Sequence, residues 1–341
     1  MANNSQAVST FSPLLFLRRI LNSLFIALTG AYGISISGFL LLRMMLGERV
    51  GFIGLLNSFV HLLIIPAVVL LPLSLGLRRW LLAAVLALPA FNALSAYGPL
   101  FLPRTAAAPP QSRELVLLSY NVNMGNFNTE AIVDIIRAAD ADVVAIQELN
   151  PTHAQAVEAQ LSDLYPHQAL HPRDDFSGQG VLSRYPITAD EFWLINLGHQ
   201  RVELDFDGQT LTLYNVHPVH PLRGIRFDGE SRAEEVTDTL RRAANETSPT
   251  LIVGDFNLTD QTADYARITA LYGDAYRAAG WGPGFTFPEW RATRLGIPMP
   301  LLARIDYVFH DAAFTPLEAR VWPSSGGSDH RALLVRLAVV E

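Results

Sequence analysis

The chain has 341 residues, of which 50% are hydrophobic and 17% charged, with a mean hydropathy of +0.23. A soluble domain carries nearer a quarter charged residues, so part of the apolar excess belongs elsewhere. Cysteine and lysine are both absent, which excludes disulfides, thiolate nucleophiles, cysteine-ligated metal clusters, Schiff-base chemistry and any P-loop that needs its lysine.

Charge is divided unevenly. Residues 1–104 hold seven arginines and one acid, Glu48, a balance of +6, and the remainder carries −13. That acidity argues against gripping nucleic acid through a broad basic surface, because such binding neutralises phosphates. A cluster of acids is equally a place for a cation, which inverts the local electrostatics.

In chain order, the first elements are apolar. Residues 20–42 are 23 uncharged positions, and a helix of about 20 such residues crosses a bilayer core. A second uncharged run, 50–77, contains His61 and Pro66, and a third, 80–102, contains Pro89 and Pro99. Residues 1–102 therefore read as a transmembrane region with spans at about 20–42, 50–77 and 80–102. A signal peptide has a shorter apolar core, a cleavage site and no later spans. A transporter or channel places several ionisable groups inside its spans, and here His61 stands alone, as a packing or interfacial residue. Three spans put the termini on opposite faces. With the amino terminus cytoplasmic, Arg18, Arg19, Arg78 and Arg79 lie inside and Arg43, Arg49 and Arg104 outside. Four against three favours an extracytoplasmic carboxy-terminal domain. Residues 103–113, small and proline-containing, read as a linker.

From residue 114 the pattern becomes that of a layered α/β domain. Strands are predicted at 115–120, 143–146, 181–182, 192–195, 202–206, 211–216, 251–253, 307–309 and 332–337. Helices are predicted at 129–139, 152–164, 229–244 and 262–271, the first capped by Asn128 or Thr129. Asp207-Gly208 between two strands is a hairpin signal. So many strands in residues 114–341 predict one two-sheet α/β domain with helices packed outside the sheets.

Polar residues recur where these strands end, which is where layered folds carry function. They are Asn121, Gln147-Glu148, Arg184, Asn215 with His217, Asp255 with Asn257, Asp306, and Asp329-His330. Glu148, Asp255 and Asp329 are oxygen donors held at strand edges. Converging carboxylates repel unless a cation sits among them, and hard oxygen ligands suit Mg²⁺ or Mn²⁺. Asn121 and Asn257 add amide groups for metal or phosphoryl oxygen. His330, its tautomer set by Asp306, is placed for acid–base work or phosphate contact. Such a set stabilises charge on a transferring phosphoryl group. Singly, each motif has a bland reading: Gly-Asp-Phe-Asn as a turn, Gln-Glu as a solvated strand end, Ser-Asp-His as a helix cap, His217 and His220 as loop residues. The ordered combination carries the signal.

That combination resembles the endonuclease/exonuclease/phosphatase family of metal-dependent phosphoesterases, through Tyr-Asn-Val, Gln-Glu, Leu-Ser-Arg-Tyr-Pro, Gly-Asp-Phe-Asn, Arg-Ile-Asp-Tyr and Ser-Asp-His across residues 114–341. The resemblance implies a four-layer α/β sandwich, two packed β-sheets flanked by helices, with its site at one edge. It implies Glu148 as the main metal ligand, assisted by Asn121 and Asp329, with Mg²⁺ as cofactor and Mn²⁺ as its substitute. It gives Asp255 and Asn257 the task of orienting the attacking water and binding phosphate or a second metal. His330 then contacts phosphate, partnered by Asp306, and Asn215 joins Asn257 and His330 in the phosphate site. His217 matches a histidine that members cleaving DNA or phospholipids use near the leaving group, and the segment before Val181 offers Gln179 where its carboxylate partner is wanted. The helical amino-terminal part is similar in architecture to a membrane-bound bacterial branch of the family that includes VanJ-like proteins, which implies an extracytoplasmic domain acting on lipid-linked pyrophosphates.

The expectation is a membrane-anchored, Mg²⁺-dependent phosphoesterase acting on a phosphodiester, phosphomonoester or pyrophosphate, with the bilayer and a lipid-linked substrate as its partners. An extracytoplasmic nuclease is the second expectation. A non-catalytic membrane-bound ligand-binding module is the third.

Overall fold

The computed structural model describes residues 12–48, 51–102, 104, 107–223, 226–289 and 300–340. Arg49, parts of the 103–113 linker and the carboxy-terminal Glu341 lie outside the described residues. The chain divides into two compact units, one of Met1–Met45 with His61–Ala96, the other of Leu46–Val60 with Tyr97–Glu341.

The first unit is helical. Helix α1 (Pro13–Leu46) is followed in the chain by α2 (Gly51–Ser58), α3 (Val60–Gly76) and α4 (Trp80–Tyr97), the last continuing as a 3₁₀ turn over Gly98–Phe101. Two segments are long and apolar enough to cross a membrane: Pro13–Leu46, with hydropathy 1.8, and Trp80–Phe101, with hydropathy 1.6. At 1.5 Å per residue the 34 residues of α1 extend about 51 Å, well beyond an apolar core of about 30 Å. The second uncharged run does not form one straight span: it breaks between α2 and α3 with a bend of 60°, and α2 groups with the other unit. Counted as one broken span, this bent pair would make a third apolar segment. Inside the helical unit, Tyr32 donates its hydroxyl to Leu63 O (2.7 Å) and Ser37 to Val85 O (2.8 Å). Each satisfies a hydroxyl that would be costly to leave unpaired among apolar side chains.

The second unit contains β1 (Arg113–Asn121), α5 (Thr129–Ala139), β2 (Val143–Gln147), α6 (Pro151–Leu161), β3 (His167–His171), β4 (Gln179–Ser183), β5 (Ile187–Leu194), β6 (Gly198–Phe206) and β7 (Gln209–Val216). It continues through β8 (Leu222–Arg223), β9 (Arg226–Phe227), α7 (Gly229–Ala243), β10 (Thr250–Asp255), α8 (Ala263–Thr269), β11 (Gly273–Asp274), α9 (Ala275–Ala279), β12 (Asp306–His310), β13 (Phe314–Val321) and β14 (Leu333–Val339). Among the described residues two six-stranded sheets form, in the orders β13-β14-β1-β2-β4-β3 and β11-β12-β10-β7-β6-β5.

Alternation along the strands explains the layering. In β1, Leu115 and Leu117 join Val143, Val335 and Leu337 of the same sheet against Val202, Leu213, Leu251 and Val253 of the other. The intervening Leu118 and Tyr120 face outward, onto Ile132, Ile136 and Val157 of α5 and α6. On the far sheet, Tyr214, Ile252 and Phe309 face Val236, Leu240 and Ile268 of α7 and α8. Strands apolar on both faces are thereby buried on both, each large side chain contributing about 1.5–3 kcal/mol. The result is the four-layer sandwich.

Local signals act as expected at several points. Asn128 caps α5, its side chain accepting from Ala131 N. Asp207 and Gly208 both have positive φ, 52° and 91°, as the tight turn between β6 and β7 requires. Strands β3, β8, β9, β11 and β13 have no counterpart among the predicted strands. β13 contains Pro316 beside a register shift, which an edge strand tolerates and a central one does not.

Candidate active site

Strand polarity brings the site together. β1 and β2 run parallel, as do β7 and β10, so their carboxyl ends share one edge. β14 runs antiparallel to β1, and β12 to β10, so the amino ends of β12 and β14 come to that same edge. This places Asn121, Glu148, His217, Asp255, Asn257, Asp306, Asp329 and His330 in neighbouring loops and strand ends. Asp255 and Asp306 are direct partners in the β10–β12 register.

Asn121 sits at the centre, fully buried. Its amide nitrogen donates to Glu148 Oε1 and to Asp255 Oδ2, both at 3.0 Å, and its oxygen accepts the Asn123 N–H at 2.9 Å. The other Glu148 oxygen accepts the Met124 N–H at 3.0 Å. Glu148 has φ 59°, a left-handed conformation that costs a non-glycine residue about 1–3 kcal/mol and is tolerated where surroundings over-determine it. Here the two hydrogen-bonded oxygens do so. Asp329 connects through Asn123, whose amide donates to Asp329 Oδ1 at 2.5 Å.

On the other side of Asp255 stand two histidines. His330 Nε2 lies 3.5 Å from Asp255 Oδ2, and its Nδ1 donates to Asp306 Oδ2 at 3.0 Å. His217 Nε2 lies 3.5 Å from the same Asp255 oxygen and 3.8 Å from Glu148 Oε1. The other Asp255 oxygen accepts the Asn257 N–H at 2.9 Å. Gly254, with φ 136°, lets β10 run against β7 here, since a Cβ would stand 2.0 Å from Val216 O.

Burial pushes the Asp255 carboxyl up to about 6; nearby Asp306 adds to the rise, and His330 and His217 oppose it. Burial works against the His330 imidazolium, but Asp306 and Asp255 outweigh it and hold its pKa up at about 10. Near neutral pH the His330 imidazolium thus faces the Asp255 carboxylate.

Asp255, Asp306 and His330 bring ligand atoms within 4.8 Å of one another, all three buried. Glu148 stands across Asn121 from this group, at a strand edge with its side chain 11% exposed. The donor set is carboxylate oxygen and imidazole with no sulfur, and buried acids this close repel without a cation, so the residues fit a hard divalent ion.

Long-range partners complete the surroundings of the site. Asn215 is fully buried beneath the site, donating to Ile146 O (2.9 Å) and Gly180 O (3.2 Å) and accepting from Gln147 (2.7 Å). These bonds brace β7 against the opposite sheet. The partner of His217 Nδ1 is a backbone oxygen, Phe176 O, at 3.1 Å, while Gln179 donates to Gly198 O. Behind His217, the buried His199 and Glu235 stand 3.3 Å apart, and Glu235 also accepts the Asn196, Leu197 and Val219 N–H groups. Glu235 lies mid-helix in an amphipathic stretch, so nothing in the local sequence marks it out.

Carboxylates, imidazoles and amides thus converge on one edge of a two-sheet α/β sandwich. The profile of the Endonuclease/Exonuclease/phosphatase family matches residues 118–330, and the chain belongs to that family. Its members generally hydrolyse phosphoester bonds and typically depend on a divalent metal. Among solved structures, the endonuclease/exonuclease/phosphatase from Bacteroides vulgatus is similar at 20% identity and a TM-score of 0.56, covering 67% of this chain and 99% of that one. A functionally unknown conserved protein from Enterococcus faecalis is 19% identical with a TM-score of 0.56, covering 66% and 100%. D. rerio TDP2, solved with a single-strand DNA product, is 18% identical with a TM-score of 0.55, covering 66% and 98%. The chain matches no curated protein.

Proposed function

We propose that the protein is a membrane-anchored, divalent-metal-dependent phosphoesterase whose substrate is lipid-linked, akin to the VanJ-like branch, with its catalytic unit outside the cytoplasm. The observation that carries the hydrolytic reading is the junction of Glu148, Asp255, His217 and His330 around Asn121. Support for the membrane reading comes from two helices long and apolar enough to span and from the acidic balance of the remainder. A bilayer-tethered enzyme also gains effective concentration on a lipid substrate.

In this reading Glu148, with Asp329 and Asn121, holds Mg²⁺ or Mn²⁺, which when bound supplies positive charge against the transferring phosphoryl oxygens. Asp255 orients a water and accepts its proton, a task that suits a carboxyl raised toward neutrality. Asn257 fixes the other Asp255 oxygen through its N–H. The His330 imidazolium, held by Asp306, donates Nε2–H toward a phosphoryl oxygen. His217 stands on the opposite side of Asp255, placed for the leaving group. A nuclease is the second reading, favoured by the likeness to D. rerio TDP2 with its DNA product.

The test is a substrate panel on the full-length protein in lipid, with Mg²⁺ and with EDTA: polyprenyl pyrophosphate, sphingomyelin, phosphoinositides and nucleic acid. Metal-dependent turnover of a lipid phosphate is the expected result. Turnover of nucleic acid alone selects the second reading, and turnover surviving EDTA removes the metal. Sidedness is read from a reporter at the carboxyl terminus, active only outside the cytoplasm.

A further inference from the structure

Beside the site the second unit carries a partly open cavity of about 290 Å³. Its lining includes Phe59, Asn257, Phe287, Pro288, Leu302 and Ile305. We propose that this cavity receives the first carbons of a hydrocarbon chain esterified to the phosphate, a proposal that rests on the phosphoesterase reading.

Asn257 forms part of the wall and is hydrogen-bonded through its N–H to Asp255. Phe287 forms another part and packs its ring 4.8 Å from that of His330. A phosphate held by His330 and Asn257 therefore has the cavity as its neighbour, and the group attached to phosphorus is what enters.

The wall is built, not incidental. Phe287 and Ala303 are bridged through N–H to carbonyl bonds of 3.0 and 2.8 Å in both directions. Phe59 follows α2, and α2 is fastened to the loop after Asn257. Asn57 of α2 donates to Gln261 O at 2.8 Å and to Glu48, and Glu48 accepts the Ala263 N–H at 3.1 Å. One residue beyond Phe59 the chain enters α3, all of whose residues but His61 and Ser74 are apolar. The wall is thus continuous in sequence with an apolar helix, as a subsite for a membrane lipid requires.

Chemistry selects the occupant. Ser58 Oγ donates to Gly54 O and the Asn257 amide to Pro218 O, so these lining groups are engaged within the protein. Among the described residues the Thr259 hydroxyl is the one buried lining side-chain group without a hydrogen-bond partner. A nucleobase needs donors and acceptors along its edge, whereas an alkyl chain needs none. At about 30 Å³ per non-hydrogen atom the volume holds about ten atoms.

The test uses the full-length protein in lipid nanodiscs with two probe series. One is alkylphosphonates of one to twelve carbons, followed by calorimetric binding; the other is 4-nitrophenyl alkyl phosphodiesters of the same lengths, followed by nitrophenolate release with Mg²⁺. Affinity and kcat/KM are expected to rise by up to about fourfold per buried carbon, the equivalent of about 0.8 kcal/mol each, and to level off near eight to ten carbons. Leu302→Asp flattens the series, and Ser58→Leu moves the plateau to shorter chains by about three carbons. Partitioning into the disc is common to all three proteins, so equal slopes in wild type and both variants overturn the proposal. An absent slope overturns it too, as does a preference for nucleoside over alkyl 4-nitrophenyl diesters. If no ester of the series is cleaved, the phosphodiesterase reading fails, and the phosphonate series still decides whether the cavity binds alkyl chains.

Discussion

Replacing Arg232 with methionine tests how the site is held. The side chain is 1% exposed, and its guanidinium donates to Asp264 Oδ2 at 3.2 Å and to Asn257 O at 3.0 Å, with Glu48 Oε2 at 4.0 Å. Methionine keeps most of the volume, so the loss is electrostatic. Removing one member of a buried pair costs about 3–5 kcal/mol, because the other charge stays buried and unpaired. Arg267 still reaches Asp264 at 3.2 Å, which sets the expectation at the lower end, about 3 kcal/mol. For a unit of this size that is about 6–12 °C in Tm. Asn257 has φ 50°, and freeing its carbonyl loosens the residue whose N–H fixes Asp255, so kcat should fall at least tenfold. Thermal unfolding in nanodiscs and single-substrate kinetics read both effects. Arg232→Met with Asp264→Asn removes the orphaned charge and should recover at least about 1 kcal/mol. A Tm within about 2 °C of wild type, or a double variant no better than the single one, refutes the reasoning.

Glu148→Gln should leave the fold intact and lower turnover by orders of magnitude. In the apo protein, saturating Mg²⁺ or Mn²⁺ should raise the wild-type Tm, by the equivalent of about 2.7 kcal/mol at one hundred times Kd, and this rise should vanish in the variant. Gly254→Ala should destabilise by about 2–4 kcal/mol in urea unfolding, since a Cβ at φ 136° meets Val216 O at 2.0 Å and must part β7 from β10. Glu246 accepts from Arg201 Nε at 2.6 Å and from Tyr214, and the Arg201 hydrogen bond holds its pKa below the ordinary 4.5 despite partial burial. A depressed carboxyl gives stability that is present above pH 4.5 and lost as pH falls through the lower folded value. Wild type minus Glu246→Gln stability, measured against pH, should therefore be about 1.5–3 kcal/mol near neutrality and shrink in acid.

Much was legible in the sequence because it is local. Capping by Asn128, the Asp207-Gly208 turn and the two-faced apolar strands follow from residue type and spacing alone, and they define a two-sheet α/β unit. The sequence also named the polar strand ends, since short motifs such as Gly-Asp-Phe-Asn and Ser-Asp-His sit where periodicity stops. Residues 20–42 and 80–102 announced themselves by length and apolarity. The run 50–77 reads the same, yet it bends by 60° between α2 and α3, and beside α2 Asn57 and Glu48 hydrogen-bond to Gln261 O and Ala263 N, partners more than two hundred positions away. Long-range pairing likewise turned Asn215 inward, gave His217 a backbone partner in Phe176 and set Glu235 behind His199. Local propensity is a property of neighbours in sequence and can be read there. Which polar group finds which partner depends on strand order and direction, and a residue far along the chain decides it only once the sheets have closed.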